Sequence, residues 1–166
     1  MKRRTFIAAA TTLARAAIAG DAGAQGAEPD TSKAQPQLPK EKLTIITRDG
    51  KRYEFNVEMA LTDAQQEVGL MWRREVPEGT GMLFDWHSPR RSMMWMKNTL
   101  VPLDMIFIKE DGTVGAIAEN TVPQSLAVID SRVPVRATLE VAAGTAAKDD
   151  IRVGDKVESP IFTGQG

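Results

Sequence analysis

The sequence predicts a mainly β domain, a single antiparallel β-sandwich or partly open barrel with one short α-helix at about residues 62–71. Three observations carry this expectation. Apolar and polar residues alternate in short runs, most cleanly at Tyr53, Phe55, Val57 and Met59, and a period of two half-buries a strand. Two Asp-Gly pairs, Asp49-Gly50 and Asp111-Gly112, separate such runs, and glycine accepts the positive φ of a tight hairpin at little cost. A helical period of 3.6 occurs convincingly only once.

Taken in order, Leu43-Thr44-Ile45-Ile46-Thr47 is rich in β-branched residues and reads as a strand, with Asp49-Gly50 turning the chain into the Tyr53–Met59 run. Thr62 with Gln65 three residues later forms a capping box, and Leu61, Ala64, Val68 and Met71 fall on one helical face. Pro77, Gly79 and Gly81 mark a loop. Residues 82–86, 93–96 and 103–108 read as strands, and Asp111-Gly112 turns into a run from Val114 to Val122, ended by Pro123. Residues 134–141 form another strand, and 151–157 turn into a short last one. Many short strands with regular turn signals suit a sandwich or barrel.

The 166-residue chain is long enough for one domain with a real core. Its start differs from the rest. Lys2, Arg3 and Arg4 precede a weakly apolar, alanine-rich stretch, and Ala22-Gly23-Ala24 supplies small residues, the order of an export signal. Arg15 interrupts the apolar part, which is too short to span a bilayer. Arg3-Arg4-Thr5-Phe6-Ile7 has the form of a twin-arginine signal. The expected organisation is therefore a signal peptide over 1–24, a flexible proline-containing linker over 25–40 and one folded domain over 41–162. The expected location is periplasmic or secreted after cleavage near Ala24, with no transmembrane anchor in the mature chain.

The formal net charge is −1. Loss of the leader would remove Lys2, Arg3, Arg4 and Arg15 against one acid, Asp21, leaving a more acidic protein. That gives no electrostatic case for nucleic acid as a partner. There is no cysteine, which excludes disulfides, thiolate metal sites and cysteine nucleophiles. The single histidine, His87, cannot build a multi-histidine zinc site within one chain. A Ser-His-acid hydrolase lacks a recognisable nucleophile elbow here.

The most informative segment is Trp95-Met96-Lys97-Asn98-Thr99-Leu100-Val101-Pro102-Leu103-Asp104-Met105-Ile106-Phe107-Ile108. It threads a cation, an amide, a hydroxyl and a carboxylate through apolar residues. Unpartnered polar groups in a dry interior cost several kcal/mol each, so these must pair, reach water or meet a ligand. Together with Gly69-Leu70-Met71-Trp72-Arg73, Gly81-Met82-Leu83-Phe84, Pro134-Val135, Leu139-Glu140-Val141, Ala143-Gly144 and Gly154-Asp155-Lys156-Val157, the block resembles the uncharacterised family numbered 192 among domains of unknown function. The resemblance covers roughly residues 43–158. It implies a small, mostly β domain, often exported, and supplies no reaction, cofactor or partner. Lys109 stands where an acidic residue is common in that family.

The candidate ligand-binding residues are Arg73, Trp95, Lys97, Asn98, Asp104 and Glu140. The competing account of the same groups is a structural network, with Asp104 paired to Lys97 or Arg73 or capping backbone amides. No catalytic residue, metal ligand or cofactor is assigned. The leading expectation is an exported, non-enzymatic module binding a small molecule or an envelope protein. One alternative is an enzyme using carboxylates, among Asp85, Asp104, Glu119, Asp130 and Glu140, on an envelope carbohydrate or peptide. Another is a Cu(I) carrier using Met93, Met94, Met96 and His87, because thioethers and imidazole suit a soft ion. Arg73-Arg74 and Arg90-Arg91 offer a local basic patch for anions, or simply a solvated loop.

Overall fold

The computed structural model describes residues 28–162, so the leader lies outside the described residues. The fold is mainly β, a seven-stranded curled sheet with two short helices. Strands β1 (Lys40–Ile46) and β2 (Arg52–Ala60) pair antiparallel around the Asp49-Gly50 turn, where Gly50 has φ 82°. Helix α1 (Asp63–Val68) follows, with both halves of the Thr62/Gln65 capping box present.

The next strand, β3 (Thr80–Met94), lies parallel to β2. This corrects the purely antiparallel expectation, and the reason is the crossover: α1 and the loop after it carry the chain back before it re-enters the sheet. Residues 82–86 and 93–94 belong to this one long strand, broken by two register shifts, and 95–101 are irregular rather than part of a 93–96 strand. Strands β4 (Leu103–Ile108) and β5 (Val114–Ala118) form the second hairpin, and β5 stops short of Val122. Strand β6 (Ile129–Ala142) is longer than expected and joins β3 to β4. A second helix, α2 (Thr145–Lys148), follows Gly144 at φ 86° and has no counterpart in the sequence reading. Strand β7 (Lys156–Glu158) pairs with β1.

The strand order is β5-β4-β6-β3-β2-β1-β7. The ends approach each other. Thr113 bridges Lys156, and the Val114 N–H donates to the Asp155 carbonyl at 2.9 Å. The sheet is therefore curled towards a barrel. Leu43, Ile45, Phe55, Val57, Leu83, Ile106, Ile108, Leu139 and Val157 form one buried cluster drawn from both ends of the sheet, and so fill the inside of the curl. Met82, Phe84, Leu103, Met105, Phe107 and Val135 form a second cluster on the other face, roofed by Leu70 and Met96 from the irregular segments. Gly81 makes the central contact possible: a Cβ there would lie 2.2 Å from the Glu140 carbonyl oxygen, far inside van der Waals contact.

The described part of the 25–40 segment is tied to the domain. The Gln35 side-chain amide donates to the Gln65 and Gly69 carbonyls, and the Trp72 indole and the Asn98 amide both donate to the Thr31 carbonyl. None of the described helices is long and apolar enough to cross a membrane.

Candidate functional site

Strand pleating sorts the polar residues of the β4–β6 region onto two faces. Asp104 lies opposite Val141, and Met105 opposite Glu140. Directly opposed residues share a face and neighbours in sequence do not. Glu140 therefore sits with Met82 and Met105 on the outer, roofed face, while Asp104 points the other way.

Glu140 is 4% exposed, and its carboxyl has no hydrogen bond or ion pair to any described residue. It lines a cavity of about 400 Å³ between the sheet and its roof. Phe84 and Trp86 come from β3, Met71 from the end of the helical segment, and Met94 and Trp95 from the end of β3 and beyond. Burial alone pushes the Glu140 carboxyl up to about 8, because the charged form is penalised where water is excluded and nothing repays it.

The walls are held in place locally. Asp85, buried at the bulge in β3, accepts the His87 N–H at 2.7 Å and pairs with Arg136. His87 has φ 60°, so the chain turns sharply after Trp86. The Trp86 indole donates to the buried Thr138 hydroxyl at 3.1 Å, and Phe84 lies against it with ring centroids 5.7 Å apart. Gly69, at φ 49°, lets the roof descend: a Cβ there would sit 3.0 Å from Phe84 Cζ.

Two cations flank the opening. The Arg90 guanidinium lies 4.2 Å above the Trp86 ring centroid, and the Lys97 ammonium 4.9 Å above that of Trp95, both within cation–π range. Asp63 and Glu67, exposed on α1, complete the charged rim. Met93 and Val128, 71% and 66% exposed, extend the rim as apolar surface.

Of the six sequence candidates, Trp95, Lys97 and Glu140 line this cavity. The other three are engaged elsewhere. Asp104 is fully buried and accepts the Asn120 N–H at 2.8 Å and the Ala146 N–H at 2.9 Å. It therefore caps backbone amides, one of them in the first turn of α2, and pairs with neither Lys97 nor Arg73. Arg73 forms a shielded ion pair with Glu58 at 3.0 Å. Asn98 takes φ 55° and bonds the strap at Thr31, while its own carbonyl accepts the Trp72 N–H.

The copper donor set does not gather. Met96 is fully buried and its sulfur accepts the Thr121 hydroxyl at 3.1 Å, and His87 Nε2 lies 2.7 Å from the Leu61 carbonyl. Among Met94, Met96 and His87, Met94 alone lines the cavity. No group of three or more His, Asp or Glu side chains suited to a metal ion occurs among the described residues. Of the basic patch, Arg91 holds Asp130 through two bonds of 2.8 and 2.5 Å and Arg73 pairs with Glu58, while Arg90 lies over Trp86. Sequence reasoning did not place Phe84 and Trp86 at a site, and offered Met94 only as a copper ligand and Arg90 only within a basic patch. The signal was the alternation Met82, Phe84, Trp86, which places all three on one strand face.

This arrangement of residues along the chain matches a known profile. That of the uncharacterised family DUF192, described as an uncharacterised ACR, fits residues 44–159. The chain belongs to the DUF192 family. No curated protein matches it. Among solved structures it resembles a Sinorhizobium meliloti protein provisionally described as a transcription regulator, at 46% identity and a TM-score of 0.73, over 75% of this chain and 97% of that one. It also resembles a protein of unknown function from Novosphingobium aromaticivorans, at 36% identity and a TM-score of 0.71, over 81% of this chain and 99% of that one. The DUF192 family has no established activity, so function rests on the cavity itself.

Proposed function

We propose that this DUF192 domain is an exported, non-enzymatic module that binds a small molecule in the cavity floored by Glu140. One observation carries the reading: a buried carboxyl with no partner among the described residues faces a cavity walled by Phe84, Trp86, Met94 and Trp95. A polar group left unpaired in the interior is costly, and a ligand that meets it recovers that cost. An apolar cleft with few, well-placed polar groups is the usual form of a small-molecule site. The basic start, weakly apolar stretch and Ala22-Gly23-Ala24 support export to the periplasm.

The relative's description as a transcription regulator does not guide this reading. The chain's formal charge is −1, and Arg73 and Arg91 are engaged by Glu58 and Asp130, whereas nucleic-acid binding rests on free cations facing phosphates.

A second reading is an acid–base enzyme, favoured by the burial of Glu140 in the cavity lining, which pushes its carboxyl up to about 8, within reach of proton transfer near neutral pH. Against it, the other acids of the lining, Asp63 and Glu67, are exposed on α1 and do not form a buried pair with Glu140. A thermal-shift screen of envelope sugars, peptides, organic ions and Cu(I), run on wild type and Glu140→Gln, tests the binding reading. A ligand whose stabilisation is lost in Glu140→Gln supports it. Stabilisation by no compound, or equal stabilisation of both proteins, would sink it.

A further inference from the structure

From the partners of the cavity walls we infer that the ligand is an organic ammonium ion, a primary amine on an apolar body, with its nitrogen on Glu140. The inference rests on the binding reading above and adds the ligand's charge. Its basis is what the chain itself places on the aromatic rings. Arg90 covers Trp86 and Lys97 covers Trp95, and neither cation has a carboxylate partner among the described residues. These two side chains occupy ring faces suited to cations, and both can swing into water, where their charge is well solvated. Displacing one of them by an incoming ammonium exchanges one cation–π contact for another.

The deeper group decides the sign of the ligand. Glu140, 4% exposed, lines the same cavity as the rings and has no counter-ion among the described residues. An ammonium ion beside it forms a charge-assisted hydrogen bond in a water-poor site, stronger than a bond to a neutral partner. A carboxylate ligand there could bond only the protonated Glu140, so its affinity would fall as pH rises, the opposite of an ammonium ion. Asp63 and Glu67 on α1 face the same opening and draw cations towards it.

Proton balance gives the inference a signature. Glu140 is neutral at pH 7 in the free protein, being raised to about 8 by burial. Binding R–NH3+ requires its carboxylate, so one proton passes from Glu140 to solvent as the pair forms. Affinity therefore rises roughly tenfold per pH unit between pH 6 and 7 and levels off above about 8. The other charged groups at the opening are Asp63 and Glu67 on α1, and Arg90 and Lys97 over the indoles. His87 is held at the Leu61 carbonyl and does not line the cavity.

The test uses three probes of similar shape, phenethylammonium, 2-phenylethanol and 3-phenylpropionate, titrated into the isotopically labelled protein while the indole N–H resonances are followed by NMR. Phenethylammonium should shift Trp86 and Trp95 but leave Trp72, whose indole is tied to the Thr31 carbonyl. Its affinity should rise from pH 6 to 8 and drop at least tenfold in Glu140→Gln. Binding of the alcohol or the acid in preference to the amine, or amine binding that is independent of pH and of Glu140, overturns the ammonium assignment while leaving the cavity a ligand site. Failure of all three to shift either resonance overturns both.

Discussion

Asp104 and Glu140 are two acids on neighbouring strands, one register step apart, with opposite fates. Asp104 is fully buried, and each carboxylate oxygen accepts a backbone N–H, from Asn120 and Ala146. Glu140 is almost as buried and accepts nothing from the described residues. Burial alone therefore does not mark a candidate ligand-binding residue in this fold; the proposed site rests on burial without a partner among the described residues, facing a cavity. The Asp104 side is a closed structural joint that ties β4 to α2 and to the end of β5. The Glu140 side is an open one, where the cost of burial is not offset by any described residue.

The largest effect that could break this contrast is at Asp104. Asp104→Ala should destabilise the domain by about 3–4 kcal/mol, since two buried amides lose their acceptor. Urea denaturation measures it, and a loss under 1 kcal/mol would show the joint to be incidental. Glu140→Gln should act in the opposite direction. The folded-state value of about 8 exceeds the ordinary 4.5, so above 4.5 the unfolded chain releases a proton that the folded one retains. The Glu140 contribution to wild-type stability is thus fully present below about 4.5 and is lost as pH climbs to about 8. At pH 8 Glu140→Gln should be more stable by about 2–4 kcal/mol, with the gap closing towards pH 4.5. A pH series of melts reads this directly.

Sequence pattern carried part of this picture. The two Asp-Gly hairpins, the Thr62/Gln65 box and the alternating β2 are local features, and the structure contains each of them. The parallel β2–β3 pair and the merging of 82–94 into one bulged strand depend on distant partners, which local pattern does not specify. Helix α2 is four residues long, too short for a 3.6-residue period to show. The same limit governed the site. Trp95, Lys97 and Glu140 could be named as polar or aromatic oddities, but only the β4–β6 register puts Glu140 and Asp104 on opposite faces. Arg73 and Asn98 looked equally suggestive and are occupied by Glu58 and Thr31.

Smaller effects sharpen the contrast. Gly69→Ala should cost about 1–2 kcal/mol, because a residue with φ 49° and a Cβ 3.0 Å from Phe84 must shift the roof. It should also weaken any ligand of the cavity without touching the Asp104 joint, which calorimetry on the same variant would show. Lys97→Met should change stability by less than about 0.5 kcal/mol, as expected for a partly exposed cation–π contact. A larger loss in thermal melts would make Lys97 a structural clamp rather than a displaceable cap.

The state of the Glu140 proton decides between the two kinds of buried acid. Carboxyl 13C NMR titration of the folded protein, with Glu140→Gln to assign the resonance, measures it without any ligand. A midpoint near 8 is the expected result. A midpoint near 4.5, the ordinary glutamate value, would mean that the carboxyl is solvated or already paired, and the contrast with Asp104 would not hold.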